Sequence, residues 1–335
     1  MGSLAPDSRP STRAFPPGIH VPSLTWFKGD DSQTVDWSLQ DSHLKFLIES
    51  GLHGIVIAGT NGEAAALSAD EKFELVRRTR QTARSSGKPD LPVTVGCNGG
   101  CTRAVIEDTV AAAAAGADYA LVLVPSYFHF ALDDSAISEF FLEVADKSPI
   151  PIVIYNFPGV VSGLDVNSEM LDVLGQHPNI VAVKLTCGGI AKVARVAAKF
   201  GAFQDGQENG EFRTLAGQSD WLVPALGVGG AGCITGLANL YPKACIEMYD
   251  LWMAGKVKEA NTLQIEISKC EIGFGTAGIN GTKWVVASMR GYSEDSSHCR
   301  RPYPKFKDEK KKAWLVEKMH LCGHIESDLM KKTCS

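Results

Sequence analysis

Lys184 stands at the inner end of an apolar run, in "PNIVAVKLTCGG" (178–189). A buried, unpaired ammonium is costly, so the position asks for a reason. At neutral pH a free lysine has on the order of one amine in a thousand deprotonated, which makes it a poor nucleophile. Apolar burial disfavours an ammonium and frees the amine to attack a carbonyl carbon. The product is a Schiff base, whose protonated iminium withdraws electrons from the neighbouring carbon, so that a C–C bond beyond it breaks or forms through an enamine. The competing reading is a lysine neutralised by a buried carboxylate, although "IVAVKLT" (180–186) carries no Asp or Glu. The residues alone leave both readings open.

Other candidates lie where apolar runs end. Tyr155 closes "PIVIYN" (151–156), either as a phenol that shuttles a proton or as a core aromatic. Thr60, Asn61 and Gly62 in "GTNGE" (59–63) offer backbone N–H groups, a hydroxyl and an amide. Such a turn suits a carboxylate, and equally serves as a tight connection between two elements. Tyr127 in "PSYF" (125–128) reads as a loop anchor, a proton-relay member or an interface residue. Thr186, two residues past the lysine, and Ile234, in "GCITGL" (232–237), are further substrate-binding candidates. Ser126, Phe128, Val160 and Ser162 are loop residues expected to choose among substrates. Cys97 and Cys101 form one CxxxC with no second pair, short of the three or four ligands a zinc site needs, so no metal or other cofactor is expected.

These residues need a scaffold that brings strand ends together. From Ile19 the chain alternates apolar runs (19–25, 54–59, 91–96, 119–125, 151–156, 180–186, 212–217, 232–237) with helical patterns (38–50, 68–85, 102–115, 134–147, 167–175, 189–200). Runs without polar alternation imply strands buried on both faces, and single helices between them imply right-handed βαβ units. Eight such units close into an α/β fold, a (β/α)8 TIM barrel, whose functional groups sit at the strand ends. The main competitor is an open doubly wound sheet. Gly227, Gly229 and Gly232 do spell G-x-G-x-x-G, but they follow a helical stretch and precede a strand, the reverse of the dinucleotide order. Beyond the eighth run the pattern is helical only, at 242–254, 256–271, 276–290 and 308–332. The organisation expected is a flexible N-terminal segment (1–17), the barrel (18–240), and the last barrel helix with a C-terminal helical extension (241–335).

Composition narrows the class. A hydrophobic share of 44% with 21% charged residues is that of a globular protein, and a net charge of -5 gives no basic face for nucleic acid. The longest apolar stretches are interrupted by Asp118 or by prolines, so no membrane span is expected. Nine scattered cysteines read as reduced thiols, pointing to the cytoplasm. Arg9, Arg13 and several serines in the opening segment make a mitochondrial address the alternative, opposed by four prolines and Asp7.

Taken in order and spacing, "GTNGE", the "PSY" after the fourth run, "YNFPG" and "VKLTCGG" resemble the class I pyruvate aldolases, the group of dihydrodipicolinate synthase and N-acetylneuraminate lyase. The resemblance spans roughly residues 18 to 300. It implies a (β/α)8 barrel with a helical extension, a homotetramer built as a dimer of dimers, and a 2-oxo acid substrate. It further implies that Lys184 forms the Schiff base, that Tyr155 is the general acid and base, and that Thr60 and Asn61 hold the substrate carboxylate. Thr60, Tyr155 and Tyr127 would form a proton relay, with Tyr127 reaching a neighbouring subunit's site. After "YNFPG" the synthases carry an arginine for a second carboxylate, whereas this chain reads "VVSG" (160–163), which argues against lysine biosynthesis. "GTNGE" and "QHPNIVAVK" are more similar to 4-hydroxy-2-oxoglutarate aldolase. "PPG" (16–18) and "VKLTCG" are similar to fungal aldolases of 3-deoxy-2-oxo sugar acids. Both reactions are retro-aldol cleavages releasing pyruvate. A barrel that binds 2-oxo acids without turnover is the non-enzymatic alternative.

Overall fold

A computed structural model of the chain describes residues 14–201 and 212–333; most of the segment expected to be flexible, 1–13, lies outside them. Eight parallel strands close into a barrel in sequence order: β1 (Gly18–Pro22), β2 (Gly54–Ile57), β3 (Val93–Gly96), β4 (Tyr119–Leu123), β5 (Ile152–Asn156), β6 (Ile180–Leu185), β7 (Arg213–Ala216) and β8 (Gly232–Ile234). Each is followed by a helix: α1 (Trp37–Glu49), α2 (Ala69–Ser85), α3 (Thr102–Ala115), α4 (Asp134–Lys147), α5 (Ser168–Leu174), α6 (Ile190–Lys199), α7 (Leu222–Gly227) and α8 (Pro242–Met253). Two long helices complete the described chain, α9 (Val257–Arg290) and α10 (Glu309–Thr333).

The strands lack polar alternation because both of their faces are covered. In β4, Ala120 and Val122 pack outward under the helices, while Tyr119 and Leu121 fill the barrel. In β6, Val183 and Leu185 point outward, which turns Lys184 between them into the interior. The N-terminal end of the barrel is plugged. Phe15 is fully buried there, the Tyr119 hydroxyl donates to the Ala14 carbonyl at 2.9 Å, and the Arg213 guanidinium donates to the Phe15 carbonyl. The open mouth is therefore the C-terminal end, where β2, β5 and β6 deliver their candidate residues.

Local signals explain the connections. Ser68 and Glu71 form the capping box that starts α2. The glycines of the G-x-G-x-x-G stretch link α7 to β8 as expected. At Gly232, φ is +149° and a Cβ would lie 2.1 Å from the Gly18 carbonyl oxygen, so only glycine lets β8 close against β1. The two helices expected at 256–271 and 276–290 run on as α9, interrupted at Gly278 by φ 63° and ψ -169°. That break re-aims the second half of α9 toward the barrel mouth.

Candidate active site

Parallel pairing of β5 and β6 sets Tyr155 directly opposite Lys184. The Lys184 ammonium nitrogen lies 4.2 Å from the centre of the Tyr155 ring. The Tyr155 hydroxyl in turn meets the Thr60 hydroxyl at 3.2 Å, either one able to donate. Both Lys184 and Tyr155 are buried, at 4% and 3% exposure. Three lysines are buried in the described chain, and their partners differ. Lys192 donates to both oxygens of Asp165 at 2.7 and 2.8 Å, and Lys283 to Glu63 at 2.6 Å. Lys184 makes no ion pair with any described residue. The carboxylate-paired reading of Lys184 is thereby set aside.

Thr60 is held by a strained turn. Ala58 and Glu63 both adopt left-handed backbone, φ 51° and 56°, unusual for residues with a Cβ. The Glu63 N–H donates to the Thr60 carbonyl at 3.0 Å, and the Thr25 hydroxyl donates to the Gly62 carbonyl at 2.7 Å. A Cβ on Gly62 would come within 2.9 Å of the Ser23 carbonyl oxygen, which is why that position is glycine. The Asn61 side chain extends against the backbone of Gly236, just beyond β8.

A cavity of about 560 Å³ opens above this turn, bordered by Thr60, Tyr155, Asn98, Lys72, Ile279 and Tyr303. Asn98 accepts from the Leu123 N–H at 3.0 Å, fixing its amide at the rim. Lys72 is neutralised by Asp108 at 2.5 Å. Ile234 is fully buried inside the barrel, and the Thr186 hydroxyl oxygen is buried with no hydrogen-bond partner in the described chain, pressed near Gly217. Tyr127 stands apart. It is 82% exposed and stacks edge-on against Phe128, so within one chain it does not join Thr60 and Tyr155.

Several residues at this mouth carried no legible signal. Glu63 sits inside the "GTNGE" stretch, yet its partner Lys283 lies 220 residues away in a helical pattern that reads as ordinary packing. Ile279 and Tyr303 arrive from the C-terminal segment in the same way. Lys72 and Asn98 follow the second and third strands; of these only Asn98, a polar residue just past a strand end, has a signal in the sequence.

The Dihydrodipicolinate synthetase family matches residues 16–318. A relative from Emericella nidulans, by its name a mitochondrial 4-hydroxy-2-oxoglutarate aldolase, is 38% identical over 292 residues, covering 87% of this chain and 90% of its own length. The L-threo-3-deoxy-hexylosonate aldolase of Hypocrea jecorina is 38% identical over 289 residues, covering 86% and 90%. A crystal structure of a dihydrodipicolinate synthase family protein from Coccidioides immitis superposes with a TM-score of 0.84 at 36% identity, covering 95% of this chain and 99% of that one.

Proposed function

Since the chain belongs to the dihydrodipicolinate synthetase family, we propose that it is a class I aldolase cleaving a 4-hydroxy-2-oxo acid to pyruvate and an aldehyde. The observation that carries this is the buried Lys184, without an ion pair among the described residues, facing Tyr155, itself hydrogen-bonded to Thr60, at the open end of the barrel. The substrate carboxylate sits on the turn of Thr60 and Asn61, with Thr186 and Ile234 walling the pyruvate end. Lys184 Nζ adds to the C2 carbonyl, and loss of water leaves the iminium. Tyr155 gives and takes the protons of these steps, with Thr60 orienting its hydroxyl. The C4 hydroxyl then loses its proton, the C3–C4 electron pair moves toward the iminium, and the aldehyde departs. Protonation of the resulting enamine at C3 and hydrolysis return the amine and release pyruvate.

Tyr127, together with exposed Phe128 and Phe130, is read as a contact with a second copy of the chain, within a homotetramer arranged as a dimer of dimers. In that assembly Tyr127 completes the relay in the neighbour's site. Among the described residues no helix is long and apolar enough to cross a membrane. The location proposed is the cytoplasm. Mitochondria are the second reading because relatives from two fungi carry that word in their names, and fractionation of cells with a C-terminal tag decides between them.

The favoured substrate is 4-hydroxy-2-oxoglutarate, cleaved to pyruvate and glyoxylate. A second reading, a 3-deoxy-2-oxo sugar acid, is favoured by the cavity itself. Lys72, the cation on its border, is already paired with Asp108, while Asn98 offers an amide suited to a hydroxyl. Pyruvate release measured with 4-hydroxy-2-oxoglutarate and with L-threo-3-deoxyhexulosonate is the test. Cleavage of at least one supports the aldolase reading and the larger kcat/KM selects the aldehyde. Cleavage of neither, by folded protein, contradicts it.

A further inference from the structure

The turn that presents Thr60 and Asn61 is anchored from the far end of the chain. Glu63 closes this turn with a left-handed backbone, φ 56°, a conformation that persists in a residue with a Cβ only when its surroundings hold it. Its two carboxylate oxygens have separate partners. Oε1 accepts from Lys283 Nζ at 2.6 Å, and Oε2 accepts from the Arg300 backbone N–H at 2.9 Å. Lys283 is fully buried, and its ammonium also lies over the Phe27 ring at 4.2 Å. Arg300 grips the same loop further along, donating to the Ala66 carbonyl at 2.6 Å and to both Glu71 oxygens at 2.7 and 2.6 Å.

A buried ion pair adds little net stability compared with an apolar pair of similar volume, because desolvation offsets the attraction. Direction is what it supplies here. Lys283 lies five residues past the Gly278 break in α9, and Ile279, one turn before it, borders the cavity. The re-aimed half of α9 thus contributes a wall and an anchor together. The anchor reaches Thr60 directly within the same turn, through the hydrogen bond from the Glu63 N–H to the Thr60 carbonyl.

We propose that Glu63 and Lys283 are positioning residues, whose buried ion pair lets the C-terminal helical segment hold the Thr60–Asn61 turn in the geometry that receives the substrate carboxylate. This rests on the aldolase reading above. Glu63 borders the cavity, but its carboxylate is turned to Lys283 and the Arg300 N–H, and no hydrogen bond or ion pair among the described residues joins either member of the pair to Lys184 or Tyr155. The pair acts on the affinity for the 2-oxo acid carboxylate, leaving the competence of Lys184 intact.

The test is a pyruvate titration of borohydride trapping, with the adduct on the Lys184 peptide quantified by mass spectrometry, in the wild type, Glu63→Gln, Lys283→Met and the double variant Glu63→Gln/Lys283→Met. Glu63→Gln keeps the shape of the side chain and its acceptor for the Arg300 N–H. The double variant leaves no charge unpaired, and thermal unfolding of each reports stability. The expected result is a half-saturating pyruvate concentration raised about tenfold or more in Glu63→Gln and in the double variant, with the same maximal trapping at saturation. Stability is regained in the double variant relative to Lys283→Met while pyruvate affinity is not. Unchanged half-saturation in Glu63→Gln and the double variant, or affinity that recovers together with stability, overturns the proposal and makes the pair purely structural. An untrapped wild type overturns the aldolase reading itself, and this inference with it.

Discussion

At the scale of single residues, Lys184, Tyr155 and Thr60 meet at short range, and their proposed roles separate experimentally. Tyr155→Phe keeps the ring beneath Lys184 and removes the hydroxyl shared with Thr60. Proton transfer by a positioned group contributes roughly 10²–10⁴ in rate, so kcat for pyruvate release falls by about that factor while unfolding temperature stays near wild type. A change in KM alone would assign Tyr155 to binding instead. Thr60→Val tests the other partner. It removes both the hydrogen bond to Tyr155 and the donor proposed for the substrate carboxylate, and steady-state kinetics are expected to show a lower kcat and a higher KM together. The sequence made Lys184, Tyr155 and Thr60 visible because each ends an apolar run with a chemically capable group. Glu63 and Lys283 stayed hidden because a carboxylate and an ammonium far apart in the chain each look like ordinary surface charge until the fold buries them together.

At the scale of elements, strand closure depends on a backbone contact that only one residue type permits. Gly232→Ala would push a Cβ onto the Gly18 backbone at a φ of +149°, between β8 and β1. A loss of about 2–4 kcal/mol in stability is expected, measured by denaturant unfolding; an unchanged midpoint contradicts the closure described. Helix boundaries were legible to within about two residues, because caps and glycines mark them in the sequence. The continuity of α9 across Gly278 was not. A glycine between two amphipathic stretches reads equally as a loop and as a kink, and which one forms is decided by the barrel mouth against which the second stretch packs.

At the scale of the molecule, buried titratable groups set opposing pH dependences. Burial lowers His20 and His43 to about 3, so unfolding at acid pH lets each take up a proton. Their contribution to stability is fully present above about 6.5 and is lost as pH falls toward 3. Glu271 behaves oppositely. It is buried between the hydroxyls of Ser219 and Thr235, which donate to it at 2.5 and 2.9 Å, and burial together with nearby Asp220 raises it to about 7. The folded chain therefore holds that proton more tightly than the unfolded chain, and the associated stability is lost as pH rises from about 4.5 to 7. Glu271→Gln should flatten this decline, so that its unfolding temperature relative to wild type increases from pH 5 to pH 8. A constant difference across that range contradicts the assignment. The assembly is a further matter of this scale. Removal of the exposed aromatics in Tyr127→Ala/Phe128→Ala should shift light-scattering mass from four chains toward fewer, and a tetramer unaffected by the change contradicts the contact proposed for that loop. Composition and strand rhythm disclosed the barrel. The tetramer remains a proposal that rests on resemblance, because an exposed aromatic loop does not announce a partner.

The central claim is that the amine of Lys184 becomes covalently attached to the 2-oxo acid. Reduction with borohydride in the presence of pyruvate, followed by peptide mass spectrometry, measures this directly. A pyruvyl adduct is expected on the peptide containing Lys184, absent without pyruvate and absent in Lys184→Arg, which should fold and release no pyruvate from any 4-hydroxy-2-oxo acid. A folded wild-type protein without that adduct, or an active Lys184→Arg, contradicts it.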